Sequence, residues 1–343
     1  MKKMYFKNKT VLIIGGTGSI GSNILNELIG HNPKEIRIYS RNEYKQYQLR
    51  YKYSNKGNVT FILGDVRDLA SLVVASKNVD IIFHCAALKH VPFSEEMPEE
   101  FIKTNILGSL NVKKAAIENR VPRTISISTD KAVDSSNLMG LTKAIQEKIF
   151  SSYSIRGTDK SRVCFVNVRF GNVIGTHGSL FPIIHHQIVN KEQVTLTHEE
   201  MTRFFISSRE AIDLILWAAL NGKNGEIIVK KMKSVYIKKI IDAFVKVLGA
   251  NRIRIKNIGI RAGEKIHESL ITEDNLFRTK EIDGYYVITP YKTGSSIVLT
   301  RKKPSFSIEQ FSSYSSSNLM TDRELTKYVQ TYLKESGLRN TII

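Results

Sequence analysis

Six short apolar runs divide the first half of the chain: TVLIIGG (10–16), EIRIYS (35–40), VTFILGDV (59–66), VDIIFHCAA (79–87), RTISIST (123–129) and RVCFVNVRF (162–170). Amphipathic stretches with helical spacing separate them, among them SNILNELIG and NILGSLNVKKAAIENR. Strands this apolar are buried on both faces. Regular alternation with helices therefore predicts an α/β protein whose parallel sheet is covered on both sides.

The turn after the first run sharpens the expectation. It reads Gly15-Gly16-Thr17-Gly18-Ser19-Ile20-Gly21, with small residues at the 15, 18 and 21 spacing. A glycine cluster alone marks many turns, but here it follows a strand, opens a helix and heads a βαβ unit. In that setting small residues let the backbone approach a pyrophosphate, and the helix N-terminus supplies free N–H groups. The fold class expected is a Rossmann-type doubly wound parallel sheet with a smaller C-terminal substrate-binding lobe. The second run ends in Ser40 and Arg41 where an NAD-binding chain places an acid for the ribose hydroxyl. Arg41 could pair with a 2′-phosphate, so NADP is expected; Glu43 nearby keeps NAD possible. Asp65 and Val66 after the third run, and Ala86 after the fourth, complete the expected cofactor contacts.

A net charge of +19 raises nucleic-acid binding as one reading. The lysines are dispersed, with no basic arm and no stacked-aromatic signature, so no nucleic-acid partner is expected. A basic surface instead suits an enzyme of anionic ligands. No apolar run reaches the ~18 residues of a membrane span. The opening MKKMYFKNKTVLIIGG has lysines before an apolar run, but that run is short and enters glycines rather than a cleavage site, so a cytoplasmic location is expected. Cys85 and Cys164 lie in strand-like runs and predict no disulfide.

The motifs GGTGSIG, YSRNE, GDVRD, AALKHVP, KTN, STDKAV, MGLTK, VRFGNV, MTRFF and RAGEKIHESL follow one another between residues 8 and 290. In this order they resemble the extended short-chain dehydrogenases/reductases, and more narrowly the UDP-N-acetylglucosamine 4,6-dehydratases of polysaccharide biosynthesis. The resemblance implies a hydro-lyase that makes a UDP-4-keto-6-deoxy-N-acetylhexosamine. Hydride leaves C4, water is eliminated across C5–C6, and hydride returns to C6, so the nicotinamide is tightly bound and recycled.

Within that reading Thr129-Asp130-Lys131 places an acid and a base side by side at the end of a strand. Asp130 is assigned as the acid at the 6-hydroxyl and Lys131 as the base at C5, which requires its neutral form. The family's usual Tyr-x-x-x-Lys puts both side chains on one helix face. Here it is Met139-Gly-Leu-Thr-Lys143, and a thioether cannot exchange a proton. Lys143 keeps the ribose contact, while the 4-hydroxyl proton passes to Asp130, relayed through Thr129, a water or the ribose hydroxyl. The same exchange occurs in a branch that includes membrane-anchored enzymes and tends to retain the C5 configuration; this sequence has no stretch matching their membrane-spanning region.

Lys89, Met139, Arg169, Asn172, Arg203, Arg261 and Glu264 are the expected substrate contacts, the arginines suiting a diphosphate through their planar fork. His267 stands in the same motif. Asn105 is expected to support backbone geometry, and His90 to be packed. The remaining histidines, His177 among them, show no metal spacing, so no metal is expected. The expected division is 1–170 plus 207–224 for the nucleotide-binding domain, 171–206 plus 225–290 for the substrate lobe, and 291–343 as a C-terminal extension. In that extension the serine-rich stretch 312–317 is expected as a surface loop before a helix capped near Thr321 or Asp322. A homo-oligomer is implied by the resemblance. Two alternatives stay open: a UDP-N-acetylhexosamine 4-epimerase, and a nucleotide-binding sensor without turnover.

Overall fold

The computed structural model describes residues 2–152, 163–176, 178–250, 253–291 and 306–338; His177 lies outside them. The six apolar runs form β1 (Thr10–Ile14), β2 (Glu35–Ser40), β3 (Val59–Leu63), β4 (Ile81–His84), β5 (Arg123–Thr129) and β6 (Cys164–Phe170). They are mutually parallel in the spatial order 3-2-1-4-5-6. Side chains alternate between the faces: Val11, Ile13, Ile36 and Phe83 enter one core, Leu12, Ile14, Tyr39 and Ile82 the other. Burial on both faces explains the apolar runs of β1 and β4, whose residues are all buried; β3, at the edge of the sheet, is partly exposed.

Further strands follow: β7 (Asn172–Val173), β8 (Val194–Leu196), β9 (Thr202–Ile206), β10 (Ile227–Lys230), β11 (Lys233–Tyr236), β12 (Ile255–Asn257), β13 (Thr279–Ile282) and β14 (Tyr285–Ile288). The large sheet extends beyond β6 through β10, parallel, and then β14 and β13, antiparallel, giving nine strands. The chain thus re-enters the sheet within 225–290, the span expected in the substrate lobe. The helix Ser208–Asn221 packs on β5, β6 and β10 and begins with a capping box between Ser207 and Glu210.

A second core gathers Phe181, Phe205, Phe244 and Tyr332 around the sheet of β11, β9 and β7. Phe181 meets each of the other three rings at 5.4–5.6 Å between centroids. Tyr332 comes from the final helix, Asp322–Glu335, capped by Thr321 with Glu324 closing the box, as the sequence predicts. This helix therefore belongs to the core of the smaller lobe. The serine-rich stretch meets its expectation in part: Tyr314, Ser316 and Ser317 are exposed, but Ser313 is fully buried and Ser312 nearly so, because their hydroxyl and backbone groups bond the chain near Glu268. No helix of the described residues is long and apolar enough to cross a membrane.

Candidate active site

In a sheet of this order the chain leaves β1 and β4 in opposite directions, and a crevice opens beyond their carboxyl ends. Gly15 ends β1 with φ +80°, and a Cβ there would lie 2.6 Å from the backbone nitrogen of Ala86, just after β4. A Cβ on Gly21 would meet Gly15 O at 2.5 Å. Only a glycine turn lets these backbones close together. The helix Ser19–Ile29 starts at Gly18 with no side chain capping its N–H groups. The turn Gly15, Thr17, Gly18, Ser19, Ile20 and Gly21 is therefore an anion cradle of the kind a dinucleotide pyrophosphate fills. At its far edge Ser40 is buried, and its hydroxyl accepts from Gln46. Arg41 is 53% exposed and lies 3.9 Å from Asp65. Asp65 is less available than expected, because Arg67 binds it through backbone N–H and guanidinium; those contacts hold its carboxyl below the ordinary aspartate value against the opposing effect of burial. Val66 is buried beneath Gly108.

The chemical groups stand at the end of β5. Thr129 donates to Asp130 Oδ1 at 2.9 Å, and Lys131 Nζ donates to the same oxygen at 3.0 Å. Asn172, on β7, accepts from Lys131 Nζ at 3.2 Å. Gly171 permits this approach: a Cβ there would lie 2.7 Å from Phe204 Cβ and 3.0 Å from Asp130 Oδ2. Asp130 is fully buried. The structure thus brings Thr129, Asp130, Lys131 and Asn172 into one cluster.

Met139 and Lys143 lie on the helix Leu138–Ser151, started by Asn137 accepting from Gly140 N. Met139 is buried at 3% exposure. Lys143 Nζ donates to Ile127 O and Gln146 Oε1, both at 2.6 Å. Burial brings its ammonium from 10.5 down to about 8, with Glu147 and Cys85 opposing. The same burial, with the Lys143 charge, lowers His84 to about 3, so that imidazole is neutral. Asn105 grips the backbone of Leu88 through both N–H and carbonyl, fixing the loop that carries Lys89 on the surface.

Two of the arginines expected on a diphosphate are committed elsewhere. Arg169 is buried, with Nε and Nη2 on the two oxygens of Glu147 at 2.9 and 2.6 Å and Nη1 on Leu270 O at 2.7 Å. Arg203 donates to the carbonyls of Thr202, Ile266 and Lys265 at 2.8–3.0 Å. Both tie the chain around 265–270 to the rest of the molecule. Arg261 remains 53% exposed, 3.6 Å from Glu264. The loop holding them docks on the segment before the Met139 helix: Ser136 and Asn137 both donate to Gly263 O, and Lys265 Nζ donates to Val133 O. His267 shares a hydrogen bond with Thr202 Oγ1. Docking also delivers a residue that the sequence reading passed over: Glu268, 4% exposed, whose Oε1 lies 3.9 Å from Lys131 Nζ. Its signal was its place in the RAGEKIHE motif. Gln146, three residues from Lys143 on the same helix face, was missed too.

The parallel sheet, the glycine cradle at its switch point and the helix carrying Met139 and Lys143 define a protein of the extended short-chain dehydrogenase/reductase class. Residues 11–290 match the family model described as polysaccharide biosynthesis protein, and the chain belongs to that family. An uncharacterised membrane protein of Methanocaldococcus jannaschii is 42% identical over 84% of this chain and 87% of its own length. UDP-glucose 4-epimerase of Rickettsia prowazekii is 40% identical over 82% of this chain and 83% of the epimerase. Among solved structures, Pen from Bacillus thuringiensis superposes with a TM-score of 0.86 at 34% identity, covering 96% of this chain and 99% of Pen. A dTDP-glucose 4,6-dehydratase from Streptomyces venezuelae shares the fold at a TM-score of 0.69 and 19% identity, over 95% and 97% of the two chains.

The Lys143 environment makes a testable prediction. Between about 8 and 10.5 the unfolded chain binds a proton that the folded chain does not, so the burial penalty of this site is full and constant below about 8 and is relieved as pH rises through that window. Lys143→Met should abolish that relief. Urea unfolding near neutral pH and near pH 10.5 should show the wild-type-minus-variant stability difference shifting toward wild type by up to about 3 kcal/mol. A difference that stays constant would contradict the assignment.

Proposed function

We propose that this protein is a UDP-N-acetylglucosamine 4,6-dehydratase that retains configuration at C5. The observation that carries the reading is the Asp130–Lys131 pair at the end of β5, a carboxyl and an amine in contact at the same end of the parallel sheet as the glycine turn. Relatives named UDP-glucose 4-epimerase support a nucleotide-sugar substrate. A bound nicotinamide would accept hydride from C4 and return it to C6, and so would be recycled. Lys143 and the cradle residues would hold it, with Ala86 at its side.

The residues of the chain divide the proton work. The thioether of Met139 takes no proton, so the 4-hydroxyl proton goes to Asp130, relayed by the Thr129 hydroxyl that already bonds it. Asp130 then delivers that proton to the departing 6-hydroxyl, which leaves as water. Lys131, as the free amine, removes the proton from C5 and returns it to the same face. The proton balance closes without a third donor. Asn172 keeps the Lys131 amine directed, and Arg261, Glu264 and Lys89 are the remaining candidates for the nucleotide; Arg169 and Arg203 serve the architecture.

The second reading, a 4-epimerase, is favoured by the names of the relatives. It uses hydride transfer at C4 alone and has no need of an acid–base pair for C5–C6. The sensor reading rests on Met139 and on the internal bonds of Lys143. Incubation with UDP-N-acetylglucosamine in D2O, followed by NMR, separates them: a 6-methyl signal with deuterium at C5 supports dehydration, a galacto product supports epimerisation, and unchanged sugar supports the sensor. Asp130→Asn and Lys131→Ala should each lower turnover by at least about a hundredfold while cofactor stays bound. Wild-type turnover in either variant would remove its assigned role.

For the cofactor we propose NADP, since Arg41 is exposed at the end of β2 and no acid replaces it there. Arg41→Ala should weaken NADPH about tenfold and leave NADH unchanged in fluorescence titrations. Equal weakening of both would argue for NAD. A homo-oligomer is also proposed: the packed helices 102–118 and 138–151 leave Ile102, Leu107, Leu141 and Ile145 at 40–47% exposure. Leu141→Glu with Ile145→Glu should lower the mass seen in sedimentation velocity. An unchanged mass would place the contact elsewhere.

A further inference from the structure

Lys131 stands between two carboxyl groups brought from distant parts of the chain. Its Nζ lies 3.0 Å from Asp130 Oδ1 and 3.9 Å from Glu268 Oε1. The second oxygens, Asp130 Oδ2 and Glu268 Oε2, are buried with no hydrogen-bond partner among the described residues. The contrast with Glu147 is informative. That buried glutamate has both oxygens taken by Arg169, and Ser128 adds a further bond, as a structural ion pair requires. Glu268 has no such saturation, yet its backbone is fixed: its N–H donates to Ser313 Oγ, and its carbonyl accepts from Ser313 N, both at 2.8 Å.

The charged groups that face Glu268 are Lys131 and Asp130 from the turn after β5, Arg203 from β9, and Lys265 from its own loop. Burial lifts its carboxyl above the ordinary glutamate value; Asp130 adds to this, and Lys131, Arg203 and Lys265 oppose it. Arg203 keeps its proton under all conditions and bonds three backbone carbonyls. The Lys265 ammonium is held on Val133 O. Lys131 donates to Asp130 and Asn172, and at 3.9 Å from Glu268 Oε1 it is the neighbour that a short side-chain movement brings within donating distance.

We propose that Glu268 is a positioning residue that shares one proton with Lys131, so that Lys131 can stand as a free amine while the site keeps its proton. In the exchange the Lys131 side chain first closes from 3.9 Å to hydrogen-bond contact with Glu268; an N–H bond of the ammonium then breaks as an O–H bond forms on Glu268, and the reverse step restores both groups. The use of that amine at C5 rests on the dehydratase reading above. The sharing itself needs no substrate.

Competitive labelling tests it on the full-length protein without substrate. Trace acetic anhydride is applied across a pH series, and Lys131 acetylation is read by peptide mass spectrometry against the exposed lysines. A pair sharing a proton titrates as a unit, so Lys131 reactivity in the wild type should rise in two steps with a plateau between. Glu268→Gln should show one step, whereas Glu268→Asp and Asp130→Asn should keep two. A single step in the wild type overturns the proposal, as do two steps in Glu268→Gln. Should Glu268→Gln fail to fold, Asp130→Asn decides: loss of a step there assigns the shared proton to Asp130 and overturns the role of Glu268. Turnover assays on the same preparations keep the two readings apart. Two-step labelling without dehydration sinks the reaction and leaves the shared proton standing; dehydration with one-step labelling does the reverse.

Discussion

Arg203 holds the active-site cleft together. Its guanidinium collects the carbonyls of Thr202, Ile266 and Lys265, and so fixes the loop 260–268 against β9. The Thr202 N–H adds a bond to Ile266 O, so side chain and backbone of the same segment hold the loop. With the loop held, Gly263 O rests on Ser136 and Asn137, Lys265 reaches Val133 O, and Glu268 arrives beside Lys131. The chemical centre at the end of β5 is therefore completed from a segment more than a hundred residues away.

A second buried tie works behind the centre. Glu147, on the helix that also carries Met139 and Lys143, receives Arg169 from β6 and Ser128 from β5, and Arg169 passes on to Leu270 O. Helix, sheet and smaller lobe meet in one network. Breaking such a buried pair by removing one partner costs about 3–5 kcal/mol, because the other charge is left uncompensated.

Much of the fold was legible before the structure. Continuous apolar runs announced β1 to β6 because a doubly covered sheet tolerates nothing else, and Thr321 with Glu324 announced the last helix because a capping box is a local hydrogen-bond pattern. The contact between Asp130 and Lys131 was legible because the two are adjacent in sequence. The arginines were less legible: Arg169 and Arg203 carry the same guanidinium whatever it faces, and their internal partners appear only in the folded chain. Ser312 and Ser313 resembled a surface loop for the same reason, since a hydroxyl is equally at home in water or on a buried amide. Glu268 was overlooked although it lies in the RAGEKIHE motif, because its burial beside Lys131 comes from packing between distant segments.

The sequence by itself determined the strand and helix pattern, the glycine cradle and the neighbouring carboxylate and amine, all of which follow from interactions within a few residues of chain. Tertiary structure decided which charges stay at the cleft and which become internal ties, and it alone placed Glu268 within 3.9 Å of Lys131. The reason is that desolvation and long-range charge pairing depend on what the folded chain packs around a group, and that neighbourhood is assembled from segments far apart in sequence.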